Sequence, residues 1–384
     1  MPGRREGRWA VSLLNATALH DVNQFRAAGV IDHGFARHLP TARAASGTIA
    51  GASAGLVMRF TVGGLLLIVA AAAVLAAARG CRTEPPPEVP TGRPRERIYV
   101  ADWGNHRVVR IDDMDGTNWT TLGSPGESTF RFPVGVHVDA AGRVYVSEQR
   151  HDRLTRIDDL LGTNRTTLPP AGSPRGRPNK FAGSWVFVDD RGRVYRTYDG
   201  DHRVERVDDM AGTNRAAFGT EGSGPGRFRY PAGVCADPGG RVYVADFDNF
   251  RVVRFDDMTG ANWTAYGEYG TGVGQFINPC GVCLDARGRL YVADQGNDRV
   301  VRIDDMTGAS WTAVGTFGTE RRPGLLYAPC GVCVDAAGRI YVTETSSNHR
   351  VVRMDDMTGA NWTTFGTGGT GRGEFASPMG VFVR

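Results

Sequence analysis

"PCGVCLDARGRLYVADQGNDRVVRIDDMTGASWTAVG", Pro279 to Gly315, decides the fold. "PCGVCLD" is a short run of small and apolar residues, and "GRLYVAD" alternates apolar with polar around Tyr291. "DRVVRIDD" is rich in Val and Ile, and "SWTAVG" is a fourth short run. The segments between them, "ARG", "QGN" and "MTGA", are turn material. Period-2 runs bounded by Gly, Asn and Asp predict four strands in one antiparallel meander.

The phrase recurs. The Arg before its aliphatic–Tyr step falls at Arg97, Arg143, Arg193, Arg241, Arg289 and Arg339, so successive copies are 46, 50, 48, 48 and 50 residues apart. Units of that length cannot bury an apolar face alone and must stack. Radial stacking of four-stranded meanders gives a β-propeller. The copy at Arg97 lacks its leading strand, and Pro378–Arg384 ("PMGVFVR") is such a strand with no copy after it. The expected fold is all-β, a six-bladed propeller over residues 97–384, closed by the C-terminal strand so that no sheet edge stays open.

"VADWGNHRVVRID" (Val100–Asp112) and "SSNHRVVRMD" (Ser346–Asp355) resemble the NHL repeat, with its Asn-His at Asn105-His106 and Asn348-His349. The resemblance runs from Arg97 to Arg384 and implies a six-bladed propeller. It implies no single function, because propellers of this kind serve as sensors, interaction platforms, RNA binders and lyases. The third copy departs from the pattern: "AGSWVFVD" replaces the Pro-x-Gly-Val opening, and Tyr198 stands where the others carry Asp or Glu.

Residues 1–96 carry no repeat. Phe60–Ala78 is uncharged for nineteen residues between Arg59 and Arg79, enough for a membrane-spanning helix. Arg4, Arg5, Arg8, Arg26, Arg37, Arg43 and Arg59 precede it, which leaves the propeller on the extracytoplasmic side. Read from Met58, the stretch to Cys81 resembles a bacterial secretion signal, with Cys81 as a lipidation candidate. The expected organisation is an unstructured 1–57, which an over-extended reading frame would also explain, a transmembrane helix or signal sequence over 58–81, a Pro-rich linker over 82–96, and the propeller.

The formal charge of +4 belongs to the leader. Residues 1–96 hold 11 Arg and 6 acids; subtracting these from 45 basic and 41 acidic residues leaves 34 and 35 in the propeller. A near-neutral propeller argues against nucleic acid as the main partner. Arg175, Arg177 and Lys180, Arg227 and Arg229, and Arg321 and Arg322 read as solvated loop charges.

Residues present in every copy serve the blade. Such are the paired Asp at 112–113, 158–159, 208–209, 256–257, 304–305 and 355–356, and the Arg at 107, 153, 203, 251, 299 and 350. The second strands end in Asp102, Glu148, Tyr198, Asp246, Asp294 and Glu344, at the face that frames the channel mouth. Five carboxylates there would attract a cation or a basic ligand; the alternative is that each pairs with an Arg of its own blade. Trp103, Phe247 and Phe250, with Tyr198, are unrepeated loop aromatics beside them and complete the candidate ligand-binding mouth.

Cys280-Gly-Val-Cys283 and Cys330-Gly-Val-Cys333 form two C-x-x-C pairs, with Cys235 in the same strand phase as the later members. Positions three apart in a strand face opposite ways, so neither pair converges like a zinc knuckle, and these Cys read as small packing residues. Cys280 and Cys330, each following a Pro, remain candidate thiolate ligands or disulfide partners. In the peptide-amidating lyases, which the propeller resembles, metal-binding His follow a comparable Pro; here the slot reads Val134, Ser184, Ala232, Cys280, Cys330 and Met379.

Three function classes follow. The first is a non-catalytic extracytoplasmic propeller without a cofactor, binding a protein or small-molecule ligand through its channel face. It fits the absence of a catalytic set: His106, His202 and His349 share one repeat phase, His151 is one place off, and only His137 lies on an inner strand. The second is a metal-dependent hydrolase or lyase, lactonase-like or streptogramin-lyase-like, holding Ca²⁺ or another divalent ion on channel-mouth carboxylates. The third is a structural cell-surface module.

Overall fold

The structure, a computed structural model, describes residues 96–124, 129–149, 153–168 and 185–384 in full, and the backbone of 46–50 and 57–61. The chain divides into two units, Met1–Arg93 and Pro94–Arg384.

In the first unit Ser46–Ala50 pairs antiparallel with Val57–Thr61. These strands fall at the end of the expected unstructured segment and at the start of the expected helix, where Val57, Phe60 and Thr61 favour strand. No helix among the described residues is long and apolar enough to cross a membrane. The rest of the expected helix, Cys81 and the linker to residue 95 lie outside the described residues, as do His151, Arg175, Arg177, Lys180 and Ser184.

The second unit is a propeller of six four-stranded antiparallel blades. Blade one is built from both ends of the unit: Pro378–Val383 pairs with Ile98–Asp102, followed by Arg107–Ile111 and Thr120–Leu122. The closing pair is locked by reciprocal Arg97–Arg384 backbone hydrogen bonds of 2.9 and 3.1 Å. The inner strands of blades two to six are Pro133–Val138, Val186–Val188, Pro231–Ala236, Pro279–Leu284 and Pro329–Val334. Each blade then repeats the order second, third and fourth strand outward. Antiparallel alternation puts the first-to-second and third-to-fourth turns at one end, the turn face. The second-to-third connections and the loops leading into each inner strand occupy the other, the lead-in face.

The core lies between blades. Second strands such as Val242–Asp246 and Ile340–Glu344 are buried along their whole length, because both faces meet neighbouring blades. At the axis the inner strands nearly touch. A Cβ on Gly233 would lie 2.6 Å from the Cys280 carbonyl oxygen and 2.7 Å from the Val282 nitrogen. Gly135, Gly281, Gly331 and Gly380 are hemmed in the same way by the next blade. The slot needs glycine because neighbouring backbone occupies the space, joined by Ser147 Oγ at Gly135 and Thr343 Oγ1 at Gly331.

On the turn face each turn is tied by its acid. Asp285 Oδ1 accepts the N–H groups of Arg287 and Arg289 at 2.9 and 3.0 Å, and its Oδ2 accepts Arg289 Nε at 2.6 Å. Asp139, Asp189, Asp237 and Asp335 hold Arg143, Arg193, Arg241 and Arg339 likewise. Glu96 joins this face at blade six, bonded to Arg339 and to the Tyr341 hydroxyl. The chain therefore enters the propeller on the turn face.

His137 makes one stability prediction. It is buried against Phe187 and Phe382, with ring centroids at 5.0 and 4.2 Å. Burial pushes it down to about 3. Below its ordinary value of 6.5 the unfolded chain takes up a proton that the folded chain refuses. The His137 contribution is thus whole above pH 6.5 and is lost as pH falls toward 3. The slope from one such group is about 1.4 kcal/mol per pH unit. Denaturant titrations at pH 7 and pH 4.5 should show that loss in the wild type. His137→Phe, which copies the neighbouring slots, should remove most of it. An unchanged slope in the variant would assign the loss to other groups.

Candidate functional site

The lead-in face is the candidate site, and blade five shows how it is made. Asp294 ends the second strand with zero exposure. One of its oxygens accepts the Ile277 N–H at 2.8 Å; the other accepts Arg299 Nε and Asn297 Nδ2, each at 2.8 Å. Asn297 also donates to the Gly270 carbonyl at 2.9 Å. Arg299 donates to the carbonyls of Thr271, Gln275 and Gly272 at 2.7, 2.8 and 3.2 Å. Acid, Asn and Arg together form a clasp around the loop that leads into their own blade.

The clasp recurs. Asp102 takes Arg107, Asn105 and the Ala376 N–H. Asp246 takes Arg251, Asn249 and the Arg229 N–H. Glu344 takes Arg350, Asn348 and the Tyr327 N–H. Glu148 takes Arg153 and the Arg131 N–H. The residue after the Asn turns into the left-handed region, φ 55° at His106 and 53° at Asp298. His and Asp tolerate that region better than most side chains. There they reach the next blade: Nδ1 of His106, His202 and His349 accepts the N–H of Phe132, Tyr230 and Ser377 at 3.1, 3.1 and 3.0 Å, and Asp298 accepts that of Ala328 at 2.7 Å. The Asn-His pair of the repeat is thus a fastener between blades.

This corrects the expected ring of open carboxylates. Asp102, Glu148, Asp246, Asp294 and Glu344 have zero exposure, and their oxygens are occupied by N–H donors. Burial raises Asp102, Asp294 and Asp246, the last to about 6, against the pull of their Asn, Arg and backbone donors. The N–H donors on Asp102, Asp246 and Asp294 favour the charged form, and each of the three holds a guanidinium. A divalent cation on these oxygens would have to displace an Arg, so the residues do not fit a calcium site. No group of three or more His, Cys, Asp or Glu among the described residues is placed to hold a metal.

The channel mouth is apolar. Val134, Ala232, Cys280, Cys330 and Met379, from the slot after the Pro, join one buried cluster with Trp185, which replaces glycine in blade three. Blade three departs as a set. Tyr198 lies between the guanidiniums of Arg196 and Arg203, at 4.2 and 4.5 Å from its ring, and donates to Glu205 at 2.9 Å. Arg215, where blades one, four, five and six carry Trp, donates to Glu205 at 2.7 Å.

The aromatics divide. Tyr198 and Phe247 are buried, 4% and 5% exposed, and so are not open ligand contacts. Trp103 is half-buried, packed on Phe132 at 4.6 Å and donating from Nε1 to Gln149 at 2.9 Å. Phe250 is half-buried against Tyr269, centroids 5.0 Å apart. Among the described residues the exposed aromatics are ones the sequence reading passed over: Tyr269 and Phe317, both 65% exposed. They occupy the same point of successive lead-in loops, where the loops into blades four and one carry Glu221 and Gly368. Their irregularity within that phase was the signal available.

The chain carries NHL repeats: the NHL repeat profile matches residues 228–255 and 326–354. No curated protein matches. Among solved structures, a chain of the nidogen/laminin complex is similar at 18% identity and TM-score 0.56, covering 75% of this chain and 98% of that one. A Bacteroides caccae protein of unknown function is similar at 14% identity and TM-score 0.52, covering 76% and 99%. Virginiamycin B lyase from Staphylococcus aureus is similar at 18% identity and TM-score 0.45, covering 62% and 72%. At these identities the likeness shows the fold.

Proposed function

We propose that this six-bladed propeller with NHL repeats is a non-catalytic platform that binds a protein partner through its lead-in face. The observation that carries the reading is the pair Tyr269 and Phe317. Each is 65% exposed on a clasped loop and held upright by an edge-on neighbour, Phe250 at 5.0 Å and Tyr327 at 5.2 Å. Preordered aromatics lose little entropy on binding and are common anchors of protein interfaces. The nidogen/laminin complex, by its name an assembly of two proteins, offers a precedent on a similar fold. The uncharged stretch Phe60–Ala78 and the Arg before it support an extracytoplasmic propeller.

A photo-crosslinking residue placed at 269, at 317, or at the turn-face position of Leu161 (81% exposed) tests this in cells that make the protein. Discrete protein adducts are expected from 269 and 317 and none from 161. Adducts absent everywhere, or equal at 161, would sink the reading.

A further inference from the structure

Two thiols on neighbouring blades meet at the axis. Cys280 and Cys330 are both free thiols of zero exposure, and burial together with the neighbouring Cys330 thiol raises the Cys280 thiol. The backbones beside them are packed as tightly as strands allow: a Cβ on Gly281 would collide with the Cys330 carbonyl oxygen and lie 3.0 Å from the Val332 nitrogen. In the same slot Val134, Ala232 and Met379 belong to the same buried cluster, so both cysteines sit in an apolar plug. The other cysteines are placed differently. Cys333 turns its sulfur to the Val334 carbonyl at 4.0 Å in a separate cluster, and Cys235 joins the Cys280 cluster from the later strand position, two residues on from Gly233.

We propose that Cys280 and Cys330 form a disulfide that staples blade five to blade six while the ring is closing. A disulfide needs Cβ atoms about 3.5–4.5 Å apart, a spacing the backbone sets, and on neighbouring strands in backbone contact rotation about each Cα–Cβ bond then turns one sulfur toward the other. The oxidant is a small-molecule disulfide. One cysteine thiolate attacks it, forming a mixed disulfide and releasing one thiol. The second cysteine thiolate displaces the other thiol and makes the Cys280–Cys330 bond. Two cysteines are oxidised by two electrons together, one disulfide is reduced, and the two S–H protons end on the two released thiols. The step belongs to assembly, because after closure neither sulfur is reachable. Once formed, the bond should resist reductant until the propeller unfolds.

The test uses the full chain, refolded with a small-molecule disulfide–thiol pair and in parallel with thiol alone. After acid quench and unfolding, free thiols are alkylated and peptides mapped by mass spectrometry. The expected result is that four of the six cysteines alkylate in the oxidised sample and six in the reduced one, with one cross-linked peptide joining Cys280 to Cys330. Oxidised wild type should also melt higher than reduced wild type. Cys280→Ala/Cys330→Ala, which copies the Ala232 slot, should fold and melt alike under both conditions. Six alkylated cysteines after oxidative refolding, or a cross-link between other cysteines, overturns the proposal.

Discussion

Replacing Gly233 with alanine is expected to lower the melting temperature of the propeller by about 3–10 °C, and replacing it with valine to prevent ring closure. The added Cβ would meet only backbone: the Cys280 oxygen at 2.6 Å, the Val282 nitrogen at 2.7 Å and the Gly281 Cα at 2.9 Å. No side chain can swing aside, so one inner strand must move and carry its blade along. Overpacking of this kind costs about 1–3 kcal/mol, and in a domain of this size each kcal/mol shifts the midpoint by roughly 2–4 °C. Gly224→Ala is the control, since its Cβ meets only the flexible Arg227 side chain at 4.0 Å. Equal melting temperatures for the two variants would refute the account of the axis. Blade three bears on the same point. Trp185 fills its glycine slot, its inner strand is cut to Val186–Val188, and Ala232, the smallest of the described residues in its slot, packs in the same cluster.

The second large effect is expected at Arg350. Its side chain is 1% exposed and paired with Glu344 at zero exposure. Arg350→Met leaves that carboxylate buried with only the Asn348 amide and the Tyr327 N–H, and frees the carbonyls of Glu320 and Leu325 that Arg350 now binds. Breaking one side of a buried pair costs about 3–5 kcal/mol. Arg322→Met is the comparison: its pair with Glu320 is 2.7 Å long but 76% and 59% exposed. Exposed pairs contribute about 0–1 kcal/mol. Chemical denaturation of both variants decides the matter, and similar losses would show that burial is not what gives the clasp its strength.

The architecture was legible because the sequence writes it six times. The phase of Arg97 to Arg339 set the blades, and the stray strand Pro378–Arg384 declared the closure. The site was legible only in part. Asp102 to Glu344 stand out as a ring, and pairing with in-blade Arg was the alternative that the structure adopts. Sequence could not decide between the two, because whether a carboxylate is free depends on loop carbonyls and N–H groups that carry no side-chain signature. Blade three shows the same limit. Tyr198 is visible as an exception, but Arg196, Glu205 and Arg215 look unrelated until one sees them bonded around its ring and hydroxyl.

The clasp grips main chain alone. In blade five Asp294, Asn297 and Arg299 touch only the peptide groups of Gly270, Thr271, Gly272, Gln275 and Ile277 among the residues of the loop they hold. It is therefore blind to whatever side chains those loops display. A lineage can rewrite the tips, Tyr269 here and Phe317 there, without renegotiating how the loops are anchored, so recognition and foldability drift independently. For an engineer this makes the rim a set of interchangeable cassettes, with new side chains installed on loops whose main chain, Gly270 to Ile277 in blade five, stays held while the repeat beneath is constant.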